Sequence, residues 1–92
     1  MKENTRADLE YTPDPCVAIC HTNRVMSDGR EVYASRDAAL DGSPLAARLA
    51  TIDGVVALTL DGGDVTITRD ERATWDDIAL QVVAALKDFF LL

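Results

Sequence analysis

The chain has 92 residues, 48% of them hydrophobic, and carries 16 acidic against 9 basic side chains for a net charge of −7. That length predicts one domain with a single core. The negative charge repels phosphate backbones and anionic lipid, which argues against a nucleic-acid or membrane binder; it suits either plain solubility or a basic partner.

Positions 1–10 are mostly polar and charged, with Ala7 and Leu9 as apolar interruptions, and are expected to form a flexible arm. Residues 11–92 are then the single folded domain. Thr12-Pro13-Asp14-Pro15 forces extended or turn geometry ahead of a strand over Cys16–His21. A second strand is expected within Val25–Ala34. Ser27-Asp28-Gly29 breaks it, so Glu31–Ala34 is its ordered part. Ser35–Leu40 reads as one helical turn, ended by Asp41-Gly42.

The stretch from Ser43 to Val55 is a short helix with its own punctuation. Ser43 can cap it, and Pro44 occupies the first turn, where a missing N–H costs nothing. Leu45, Leu49 and Ile52 recur at i, i+4 and i+7 as one apolar stripe, and Gly54 supplies a left-handed exit. Val55–Leu60 and Val65–Arg69 flank Asp61-Gly62-Gly63-Asp64, a hairpin signal. Thr74 caps the last helix with Asp77 three residues on. Trp75, Ile78, Ala79, Val82, Leu86 and Phe89 form its stripe. The predicted order is ββαββα: an α+β fold in two layers, with two helices on one face of a four-stranded, mostly antiparallel sheet. The connection through the Ser43 helix leaves room for one parallel pairing.

Groups for catalysis are scarce. His21 is the only histidine, and the adjacent Cys20 would point to the opposite face of a strand. Cys16 and Cys20, if both lie in that strand, sit about 13 Å apart at roughly 3.3 Å per residue. A disulfide needs Cα atoms within about 7 Å. Two thiolates on one zinc could not span the gap either. Cys16, Cys20 and His21 therefore make a poor site within one chain, and only a site shared between two chains keeps them as metal candidates. Asp61 and Asp64 offer two carboxylates where a calcium loop needs about six oxygens. Gly62-Gly63 lacks the lysine and the helix of a phosphate loop. The chain is expected not to be an enzyme and to bind no cofactor itself. Two cysteines are too few for a disulfide framework, no signal-peptide pattern opens the chain, and no apolar run approaches about 18 residues, so the expected compartment is the cytoplasm. The ending Phe89-Phe90-Leu91-Leu92 has more apolar positions than one stripe can bury. Either it folds under the sheet edge or Phe90, Leu91 and Leu92 contact a partner.

With these segments placed, the chain resembles the N-terminal domain of the Nfu/NifU-type iron–sulfur scaffold proteins. The residues that carry the resemblance are Thr12-Pro13-Asp14-Pro15, Ser43-Pro44-Leu45-Ala46, Ile52-Asp53-Gly54-Val55, Val65-Thr66-Ile67-Thr68 and Trp75, in the family's order. Two departures mark the first strand: Cys16 stands where relatives usually have Asn, and Val17-Ala18-Ile19-Cys20 replaces a Leu-Lys-Phe-like strand. The resemblance implies a compact α+β domain, in the family usually followed by a second domain whose Cys-x-x-Cys binds the cluster between subunits. No Cys-x-x-Cys occurs in this sequence. What the resemblance implies here is a non-catalytic accessory or interaction role in cluster assembly or delivery, with assembly factors or apo-client proteins as partners. The alternatives are direct metal or cluster binding by Cys16 and Cys20 across a dimer, and an interaction domain unrelated to clusters.

Overall fold

Strict alternation of apolar and charged residues in Ala7-Asp8-Leu9-Glu10-Tyr11 is enough to make a half-buried strand. The computed structural model, which describes residues 5–90, places strand β1 there, at Ala7–Tyr11. Then follow β2 (Val17–Thr22), β3 (Arg30–Tyr33), helices α1 (Arg36–Leu40) and α2 (Pro44–Ala50), β4 (Val55–Asp61), β5 (Asp64–Arg69) and helix α3 (Trp75–Phe89). The sheet is five-stranded in the order β1-β2-β5-β4-β3, and every neighbouring pair is antiparallel.

The α+β class and the two-layer arrangement agree with the sequence reading; the details differ in three ways. Residues Ala7–Glu10 belong to a strand, not to a loose arm: their charged members face solvent from the sheet's edge, which disguises the period of two. Among the described residues the strands number five and the helices three, because β1 adds a strand and the turn at Ser35–Leu40 is a helix of its own. No pairing among the described residues is parallel. The α1–α2 connection returns β4 beside β3 in the opposite sense, so it acts as a long loop rather than a crossover.

Each helix starts as its sequence dictates. The Ser43 hydroxyl accepts from the Ala46 N–H with Pro44 in the first turn, and the Thr74 hydroxyl accepts from the Asp77 N–H. Gly54 follows α2 at φ 93°, and a Cβ there would stand 2.5 Å from the Ala73 side chain. Gly62, at φ 58°, opens the two-residue loop between Asp61 and Asp64. The helices cover one face of the sheet. Leu45, Leu49, Ile78, Val82 and Leu86 from the helices meet Cys20, Leu58, Leu60, Val65 and Ile67 from the strands in one cluster. The stripe of α3 turns at its end: Phe89 is 39% exposed, and Phe90 packs against the core instead. The helix stops at Phe89, so Phe90 leaves the helical path as the C-cap and swings inward, its ring edge-on to Phe89 at 5.3 Å. Phe90 is thus half-buried at the core margin; Leu91 and Leu92 lie outside the described residues.

Candidate functional site

The other face of the sheet carries no helix among the described residues, and the strand register arranges it in rows. Asp8, His21, Asp64, Asp61 and Arg30 stand side by side across all five strands. The next row on this face is Glu10, Ile19, Thr66, Thr59 and Val32, and then come Val17, Thr68 and Ala57. One end of the face is therefore ionisable and, apart from Glu10 at the edge, the rest is threonine and aliphatic. Ile19, Val17 and the threonines are half-buried, and Val32 is 62% exposed.

His21 organises the charged end. Its Nε2 lies 2.6 Å from Oε1 of Glu10 on β1, and its Nδ1 lies 2.8 Å from Oδ1 of Asp64 on β5. A neutral imidazole has one N–H and would turn a lone pair toward one of these carboxylates, whereas the imidazolium donates to both. The hydrogen bond to Glu10, and then that to Asp64, raise the His21 pKa above its ordinary 6.5. The three side chains tie β1, β2 and β5 together from the solvent side.

The metal candidates are not brought together. Cys20 faces the core with no exposed surface, and His21 points the other way from the same strand. Burial, reinforced by Asp8 and Asp64, pushes the Cys20 thiol up to about 11. A cluster or zinc shared between two chains would need a sulfur at the surface, and Cys20 does not offer one. Cys16 is half-buried at the corner before β2, where its carbonyl accepts from the Arg69 N–H at 2.8 Å. Among the described residues no group of three or more His, Cys, Asp or Glu is placed to hold a metal ion.

The residues that carry the family resemblance act as a brace. The Thr12 hydroxyl donates to the Val17 carbonyl at 2.9 Å, and an Asp14 carboxylate oxygen accepts from the Cys16 N–H at 2.9 Å. Pro13 lies exposed in the turn, while the Pro15 carbonyl accepts from both Trp75 Nε1 at 2.8 Å and Arg69 Nε at 3.1 Å. The Arg69 guanidinium lies 5.8 Å above the Trp75 ring, and Tyr11 meets that ring edge-on at 6.1 Å. The β1–β2 turn is thereby fastened to the start of α3. Leu45 and Ile52 are core, and Ser43, Pro44 and Gly54 punctuate α2. A depression of about 420 Å³ near the start of α3 is lined by Asp53, Asp70, Arg72, Thr74 and Asp77. There Asp77 completes the Thr74 cap and an Asp70 carboxylate oxygen accepts from the Arg72 N–H, so these groups are occupied by local structure.

The geometry defines an α+β domain with one covered and one open sheet face. The family described as "Scaffold protein Nfu/NifU N terminal" matches residues 8–91, and the chain belongs to that family. It is 34% identical over 82 residues to NifU-like protein 4, mitochondrial, of Arabidopsis thaliana, covering 88% of this chain and 29% of that protein. It is 41% identical over 49 residues to the NFU1 iron-sulfur cluster scaffold homolog, mitochondrial, of Drosophila ananassae, covering 53% of this chain and 17% of that protein. The chain thus spans less than a third of the length of these relatives. The solution structure of a NifU-like protein from Saccharomyces cerevisiae superposes with a TM-score of 0.78 at 16% identity, over 96% of this chain and 80% of that one. Protein SAV1430 from Staphylococcus aureus superposes with a TM-score of 0.68 at 12% identity, over 86% of this chain and 94% of that one. These two likenesses concern the fold.

Proposed function

We propose that this chain is a non-catalytic interaction module of iron–sulfur cluster assembly or delivery, which holds a protein partner rather than the cluster. Membership of the scaffold family supplies the biological setting. The observation that carries the interaction role is the open sheet face: three rows of side chains, charged at one end and aliphatic to threonine-lined at the other, with no second layer over them among the described residues. A face of this mixed character suits a protein surface better than a small ligand, which needs a concave pocket. The buried Cys20 sulfur supports a role without direct cluster ligation by that residue.

The reading is tested by immobilising the chain and presenting purified iron–sulfur scaffold and apo-client proteins. Wild type should capture at least one of them, and Ile19→Lys, at the centre of the open face, should lose it while keeping the wild-type circular dichroism. Equal capture by the variant, or no capture by wild type, contradicts the proposal.

A further inference from the structure

Strand β1 ends the sheet, and its outer side pairs with no described strand. The Thr12 N–H donates to the Val17 carbonyl and the Arg6 N–H to Asn23 Oδ1, so the even-numbered main-chain groups turn toward β2. By the alternation of an antiparallel ladder, the N–H and C=O groups of Leu9 and Tyr11 turn outward. Unpaired edges of this kind attract extended chains, and the side chains along the edge decide which.

On the open face the edge presents Asp8 and Glu10, both exposed, with Asp64 one strand behind His21. On the helix side it presents Leu9 and Tyr11, the latter 60% exposed. Trp75 touches Tyr11 from above, and the half-buried Ala79 and Val83 follow Trp75 at i+4 spacing along α3. The edge is therefore acidic on one side and apolar on the other, with the two alternating at a period of two residues.

We propose that β1 takes up an extended segment of a partner protein, in which basic and apolar residues alternate, as a sixth strand of the sheet. This inference rests on the reading of the chain as an interaction module. Basic side chains of the added strand stand beside Asp8 and Glu10, and its apolar side chains stand beside Leu9 and Tyr11 under the flank of α3. A second copy of this chain is a poorer occupant: antiparallel pairing about Leu9 sets Asp8 against Glu10 twice, and like charges directly opposite repel. The far edge is unlike this one, because β3 places Arg30 and Val32 on the open face.

The test uses the isotopically labelled chain and a capped heptapeptide of alternating Arg and Val as the probe. At saturation the Leu9 and Tyr11 amides should exchange with solvent about tenfold more slowly, on the scale of one added backbone hydrogen bond. The shifts should centre on β1, weaken with salt and be absent with the matching Glu/Val peptide. Asp8→Lys/Glu10→Lys should reverse the preference. Shifts centred on β3, equal binding of both peptides to wild type, concentration-dependent self-pairing through β1 in place of peptide uptake, or no saturable shift overturns the inference. If Asp8→Lys/Glu10→Lys still captures iron–sulfur proteins like wild type, strand addition fails and the interaction role stands. If the Arg/Val peptide adds at β1 while no iron–sulfur protein is captured, the assigned function fails and the edge site stands.

Discussion

Neighbouring residues of the same strands lead opposite lives on the two faces of this sheet. On the covered face, Leu9, Cys20, Val65 and Leu60 form a row that continues the core and ends in Glu31 at the β3 edge, and Tyr11, Ala18, Ile67, Leu58 and Tyr33 form the next. One residue along, the open face shows Asp8, His21, Asp64, Asp61 and Arg30. The covered rows are dominated by apolar groups that need no partner beyond close packing. In the open rows His21 joins Glu10 and Asp64 across strands, and the surface grades from charge to threonine. The stability of the domain belongs to the first face, and the proposed recognition to the second.

Substitutions should separate the faces in graded fashion. The largest effect is expected beneath the helices, where Leu49→Ala should cost about 2–5 kcal/mol in denaturant unfolding because the side chain is fully buried. A loss under about 0.5 kcal/mol, the range of surface changes, would place that stripe outside the core. Trp75→Phe removes the indole donor to Pro15 while keeping an aromatic ring, and should cost about 1 kcal/mol. Its amide shifts should extend to Cys16 across the brace, and changes confined to α3 would break that link. On the open face the effect should be one of pH. The folded-state pKa of His21 lies above its unfolded value, so its contribution is complete below about 6.5 and is lost as pH rises through the folded value. His21→Gln should flatten that part of the stability profile, and an unchanged slope would mean the imidazolium is not bridging Glu10 and Asp64. Smallest of all, Thr66→Ala at the centre of the open face should change stability by no more than about 0.5 kcal/mol.

Helices α2 and α3 were legible in the sequence because their punctuation is local: Ser43 with Pro44, and Thr74 with Asp77, lie within one turn of the groups they cap. The β4–β5 hairpin was legible for the same reason, since Asp61-Gly62-Gly63-Asp64 encodes its own reversal. Strand β1 was not, although its alternation is strict; two of its five residues are charged, and an edge strand with a solvent face accounts for that. The Glu10–His21–Asp64 bridge was invisible because its members are 11 and 43 residues apart and meet through register alone. The same holds for Pro15 and Trp75, separated by 60 positions, whose shared hydrogen bond explains why a turn and a distant tryptophan belong to one pattern.

The central claim is that the open face, and not the outer surface of the helix layer, meets the partner. The direct test is capture of iron–sulfur assembly proteins by three forms of the chain: wild type, Ile19→Lys on the open face, and Leu80→Lys on α3, where the native leucine is 74% exposed. The account predicts that wild type and Leu80→Lys capture equally and Ile19→Lys does not. Loss with Leu80→Lys and retention with Ile19→Lys would contradict it.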